Sequence, residues 1–228
     1  LVSMVACGLL GALIERVAYR PLRSAGRLAP LITAIGVSLL LQNAGQLVFG
    51  ADPKFFPPLI RSQEALRIGG IAISNIQIVV LVTAILLMGG LQYVVQRTRF
   101  GRAMRAVSYD APAAALMGVP VDRVILGTFV LGSCLAAAAG ILVGLSNPKI
   151  DPLMGLMPGL KAFVAAVLGG IGSIPGAMLG GILLGVIETL VTGYLSSTYR
   201  DAIAFVVLVL ILLYRPTGLF GAPQTEKV

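Results

Sequence analysis

The sequence predicts an all-α membrane protein, a polytopic bundle of about six to seven spanning helices, and three observations lead there. Of 228 residues, 57% are hydrophobic and only 11% charged, against roughly 25% charged in an average soluble domain. The charges are also clustered. None lies between Arg27 and Asp52, Arg67 and Arg97, Arg123 and Lys149, or Lys161 and Glu188, gaps of 24, 29, 25 and 26 residues. A hydrocarbon core of about 30 Å takes roughly 20 apolar residues as a helix, so each gap can hold a crossing. Finally, the apolar runs are continuous rather than alternating, which argues against a closed barrel, the other way to satisfy a backbone in lipid. A soluble enzyme is excluded.

The spans fall at Leu1 to Leu13, Pro30 to Phe49, Asn75 to Val95, Val124 to Leu145, Gly159 to Gly170, Ala177 to Tyr194 and Ala202 to Tyr214. Only 14 residues precede the first charge, Glu15, and the chain opens at Leu1 rather than Met. It reads as a fragment lacking N-terminal membrane sequence. No basic flank or cleavage site supports a signal peptide. The Gly159 to Gly170 piece is too short to cross unaided and reads as a half-span or the first arm of a broken helix. Residues 1–228 are expected to form a single transmembrane domain, with the connector 97–123 inside it.

If connectors alternate sides, 11 of the basic residues fall on one side and 6 on the other. The positive-inside rule then puts the 97–123 connector and the C-terminus in the cytoplasm. The net charge of +8 reflects this topology. The arginines flank spans and form no stripe with interleaved aromatics, so no nucleic-acid partner is expected. Tyr93, Tyr194, Tyr199 and Tyr214 fall at span ends, where an amphipathic ring suits the headgroups.

Glycine numbers 28, about 12% against a usual ~7%. Gly172, Gly176 and Gly180 repeat every fourth residue, as do Gly181 and Gly185, followed by Thr189 and Gly193. Such ridges let helix backbones approach closely in lipid, so Gly172, Pro175, Gly176 and Gly180 are candidates for helix packing or for a pathway. Pro175 also breaks any dinucleotide-binding spacing, and no Gly-Lys pair exists for a phosphate loop. With no His, and neither Cys7 nor Cys134 in a ligand pattern, no metal or catalytic site is expected.

Two charged residues stand close to apolar segments. Glu188 is expected to face protein, a cavity or an interface, because an ionised carboxylate costs a few kcal/mol in lipid; it is either a gate or a residue near the outer interface. Lys161 either lies near a substrate carboxylate at an outer mouth or snorkels to the headgroups. Phe55 and Phe56, in the long outer connector, are candidates for contact with a periplasmic protein, although aromatics beside a membrane need no such role.

The connector is the most informative segment. Asp110 can cap a helix, Pro112 suits a first turn, Ala113 to Met117 favours helix, and Gly118 before Pro120 ends it. Asp122 can cap the next span. A short amphipathic helix between spans suits a groove on a soluble partner; a solvated connector that merely obeys the charge rule accounts for it equally well.

The run GRAMRAVSYDAPAAALMGV, with KAFVAAVLGGIGSIPGAMLGG and the tail RPTGLFG, resembles the LivH-type permease of branched-chain amino acid ABC importers, over essentially the whole chain. The resemblance implies a non-enzymatic transport subunit, an importer working by alternating access. It implies a second permease subunit paired with this one in a bacterial inner membrane, cytoplasmic ATPase subunits that bind the ATP, and a periplasmic binding protein delivering leucine, isoleucine or valine. No cofactor of its own is implied. It places the coupling element on Gly101, Arg102, Arg105, Ala106, Asp110, Ala113, Ala114 and Gly118. Pro112 departs from the broader E-A-A-x-x-x-G pattern, where an acidic residue stands. The alternatives are an ABC permease for another small polar substrate, an ion-coupled secondary transporter, and a structural membrane assembly protein.

Overall fold

The computed structural model describes residues 1–23, 29–55, 64–68, 71–215 and 217–220. In these, α1 (Val2–Ile14) is followed by α2 (Ala29–Phe49), β1 (Lys54–Phe55), β2 (Glu64–Ile68), β3 (Ile71–Ser74) and α3 (Asn75–Arg97). Then come α4 (Arg99–Tyr109), α5 (Ala111–Leu116), α6 (Val121–Ser146), β4 (Lys149–Ile150), α7 (Leu156–Gly169), α8 (Ile174–Tyr194) and α9 (Arg200–Tyr214). Among the described residues, six helical stretches are long and apolar enough to cross a membrane: Val2–Leu22, Ile32–Phe49, Asn75–Arg97, Val121–Ser146, Ile174–Tyr194 and Ser197–Tyr214. Leu39, Leu86 and Leu213 are 54%, 69% and 73% exposed. Outward-facing leucines on spanning helices are what a bilayer solvent allows, so the chain is a multi-pass membrane protein.

The chain separates into two compact units, Leu1–Leu153 and Met154–Val228. In the first, α1 packs on α6 through small residues. A methyl group added to Gly11 would overlap the Ser133 side chain, and one added to Gly8 would sit 2.9 Å from Cys134 Sγ. The Cys134 thiol donates a hydrogen bond to the Met4 carbonyl (3.2 Å). Close backbone approach supplies the dispersion contacts that hold helices together in lipid.

The helix beginning at Val2 does not stop at Leu13. It continues through a wider π turn, Glu15–Tyr19, and a tight turn, Arg20–Leu22. Glu15 does not end it because its carboxylate is buried and paired with Arg23. The connectors after α2 and α6 also carry short strands that apolar patterning did not reveal: β1 pairs antiparallel with β4, and β2 with β3. Ser74 then opens α3 with a capping box, its hydroxyl accepting from Ile76 N–H while its own N–H donates to Gln77.

In the second unit, α7 and α8 form a hairpin. Gly170 and Gly172 turn the chain with φ of 105° and 97°, values that favour glycine. Ser173 caps α8 by accepting from Gly176 N–H (3.1 Å), with Pro175 in its first turn. Gly172 therefore belongs to the turn and not to a helix ridge. Gly176 and Gly180 do form a seam. An added methyl would overlap backbone atoms of Gly169 at the first and of Ala165 at the second. Gly185 and Gly193, from the other ridge, have open space around them among the described residues.

The short α7 takes the half-span form of the two expected: it does not continue into α8 as one arm of a broken helix but packs antiparallel against it, Gly169 on Gly176 and Ala165 on Gly180. At 14 residues it is about 21 Å long. Its last carbonyls are completed by the tail: Leu219 N–H donates to Leu168 O (2.9 Å) and Phe220 N–H to Gly169 O (3.0 Å). Residues just beyond α9 thus lie against the C-terminal end of α7, so α7 and α9 end at the same end of this unit.

Candidate functional site

The connector between α3 and α6 is built from two helices rather than the single one expected from Asp110 to Gly118. Thr98 caps α4 by accepting from Gly101 N–H (3.1 Å). Gly101 is buried, and a side chain there would overlap the carbonyls of Val94 and Val95 at the end of α3. That packing holds α4 in place despite glycine's poor helix propensity. Arg105 donates to the Val95 carbonyl (2.6 Å), and the Phe100 ring lies against Gly127 of α6, where an added methyl would overlap it.

Asp110 alone separates α4 from α5, in an extended conformation, and its carboxylate accepts from Ala113 N–H (2.9 Å). Gly118, at φ 81°, closes α5, with Val119 N–H returning to Ala114 O (3.0 Å). This is the left-handed glycine termination that satisfies the last carbonyls. Of the residues the resemblance singled out, Gly101 and Ala114 are buried, while Arg102, Arg105, Ala106, Asp110, Ala113 and Gly118 are exposed. The sequence reading passed over the side chains that project furthest: Leu116 is 90% and Met117 85% exposed. Their signal was an apolar pair at the end of a short helix between charged spans.

Asp122 does not cap α6, whose first turn has no side-chain cap. Instead it accepts from Arg20 (2.8 Å) and Arg23 (2.6 Å). Because Arg23 also pairs with the buried Glu15, the chain beyond α1 is clasped to the first turn of α6, two residues past the end of the connector's Pro120. Two guanidinium charges outcompete a helix terminus for a carboxylate, since a terminus carries only about half a charge.

In the second unit, Glu188 is 5% exposed and its charge is met from two other helices. Lys161 Nζ lies 2.9 Å from Oε1 and Arg200 Nε 3.1 Å from Oε2, while Lys161 also reaches Asp201 (2.7 Å). The Oε1 contact is an ion pair without directed hydrogen-bond geometry. The cluster fastens α7, α8 and α9 at the end opposite the tail. Phe55 is exposed on β1, and Phe56 lies outside the described residues.

Apolar spans, small-residue seams and a capped helical connector on the more basic side define a polytopic membrane subunit of the permease kind. The chain belongs to the family described as branched-chain amino acid transport system / permease component, which matches residues 1–212. It is 46% identical to the high-affinity branched-chain amino acid transport system permease protein BraD of Pseudomonas aeruginosa, over 99% of this chain and 75% of that one. It is 45% identical to LivH of Escherichia coli K12, over 99% of this chain and 77% of that one. The fructose import permease protein FrcC of Rhizobium meliloti is 31% identical over 70% of this chain and 47% of its own. No solved structure matches the chain.

Proposed function

We propose that this chain is the membrane subunit of an ATP-driven importer of leucine, isoleucine and valine, working by alternating access in a bacterial inner membrane. The similarity to BraD and LivH over 99% of the chain carries this reading. The connector is cytoplasmic, as is the C-terminus, because the more basic side faces inward. ATP is bound and hydrolysed by partner subunits, a binding protein delivers the amino acid from outside, and a second, homologous permease completes the pathway.

In this mechanism α5 is the docking element and Leu116 with Met117 its apolar knob, seated in a groove of the ATPase subunit. Movement of α5 passes to α6 through residues 118–120, and to the end of α1 through the Asp122 ion pairs. The helices move as rigid pieces on small-residue seams.

The test is reconstitution of the full-length chain with its partners and measurement of ATP-dependent leucine uptake, with and without Leu116→Asp/Met117→Asp. The double variant is expected to weaken ATPase-subunit binding at least about tenfold, the scale of losing two apolar anchors, while the isolated permease melts unchanged. Uptake that ignores ATP and collapses with an ion gradient would instead establish a secondary transporter. Fructose failing to compete with leucine separates the amino-acid reading from a sugar permease.

A further inference from the structure

A cavity of about 620 Å³ opens in the first unit where α1 and α6 leave the apolar region, lined among others by Glu15, Arg16, Arg20, Asp122, Arg123 and Leu126. Its two carboxylates are already answered, Glu15 by Arg23 and Asp122 by Arg20 and Arg23. Arg16 and Arg123 have no partner among the described residues. Two guanidinium groups are therefore left over in one cavity.

We propose that this cavity binds the phosphate of an anionic phospholipid, held between Arg16 and Arg123. Guanidinium groups match phosphate oxygens in charge and in fork geometry. Both arginines stand toward the ends of spanning stretches. Arg16 lies inside the spanning stretch Val2–Leu22, one residue after the buried Glu15, and Arg123 lies in the first turn of α6. Val121 and Leu126, also in the lining, give the cavity apolar wall, along which an acyl chain can run. A soluble phosphate gains the charge contact alone, whereas a lipid gains both. Clustered basic side chains beside a span favour anionic lipid, each contributing about fivefold in affinity.

Ala115 of α5 and Pro120 line the same cavity, so a bound headgroup braces the docking element against the end of α1. The site takes its leaflet, the cytoplasmic one, from the orientation proposed above; its chemistry does not depend on the transported substrate.

The full-length permease in neutral detergent, alone and assembled with its ATPase subunits, is titrated with phosphatidylglycerol, phosphatidylcholine and inorganic phosphate. Native mass spectrometry reads bound lipid, and thermal unfolding reads stabilisation. Saturable preference for phosphatidylglycerol is expected, about fivefold weaker in Arg16→Gln or Arg123→Gln and about 25-fold weaker in the double variant. Arg99→Gln, on α4 outside the cavity lining, is expected to bind as the wild type does. Equal retention of both lipids, an unchanged double variant, stabilisation by inorganic phosphate equal to that by lipid, or loss of the lipid on ATPase assembly overturns the site. Should a variant fail to fold, the wild-type headgroup preference and its decline with rising salt still decide, because apolar retention does not fade with ionic strength. Leucine uptake is read separately, so failure of the transport reading leaves this result distinguishable.

Discussion

Gly180 sits where α8 passes the Ala165 carbonyl so closely that no side chain fits. Gly180→Leu is expected to lower stability by about 1–3 kcal/mol, the usual penalty of overpacking. Gly185→Ala, in open space on the same helix, should be neutral or slightly stabilising by propensity; paired thermal unfolding in detergent checks both. Glu188 makes a second residue-scale case. A buried carboxylate that loses one of two cations is left partly uncompensated, so Lys161→Met is expected to cost about 1–3 kcal/mol, short of the 3–5 for a pair broken outright. Glu188→Gln should retain leucine uptake per folded molecule if the cluster only fastens α7, α8 and α9. Loss of uptake with the fold intact would make it a gate.

The tail is the part of the chain whose role is clearest as an element. A helix end leaves carbonyls without partners, and burying them unpaired in a membrane protein is costly. Leu219 and Phe220 supply the donors for α7, and Gly218, at φ 76°, lies against Gly170 where a side chain would collide. Hydrogen exchange should show the Leu219 and Phe220 amides protected, and Gly218→Val should abolish that protection by straining the backbone and wedging the tail away. The α4–α5 connector follows the same economy of local signals. One extended residue, Asp110, ends the first helix and caps the second, so the direction of α5 is set by that single hinge and by the buried Ala114.

At the level of the whole molecule, the proposed orientation rests on where the basic residues gather. With Cys7 and Cys134 replaced by Ala, a single cysteine at Leu116 is expected to react with an impermeant maleimide only in inside-out vesicles, and one at Lys54 only in right-side-out vesicles. The opposite pattern would invert the topology and remove the ATPase-docking role of α5. Two helices of the connector, their cap residues and the Asp122 clasp link α3 to the end of α1 on the basic side through directed hydrogen bonds and ion pairs, with the Phe100 ring packed on Gly127 between them.

By itself the sequence determined what local chemistry determines. Charge-free gaps marked the spans, Asp110 and Gly118 marked a helix and its end, and the shortness of the Gly159 to Gly170 piece marked a helix that does not cross alone; each depends on residues within a few positions of one another. Only the tertiary structure decided which residues meet across the chain. It chose Gly176 and Gly180 as the packed ridge over Gly185 and Gly193, gave Asp122 to Arg20 and Arg23 instead of the α6 terminus, joined Glu188 to Lys161 and Arg200, and set the tail on α7. The physical reason lies in the solvent. Lipid is as apolar as a helix neighbour, so a spanning helix carries no strong contrast between its inward and outward faces, and its partners become legible only when the backbones are seen to touch.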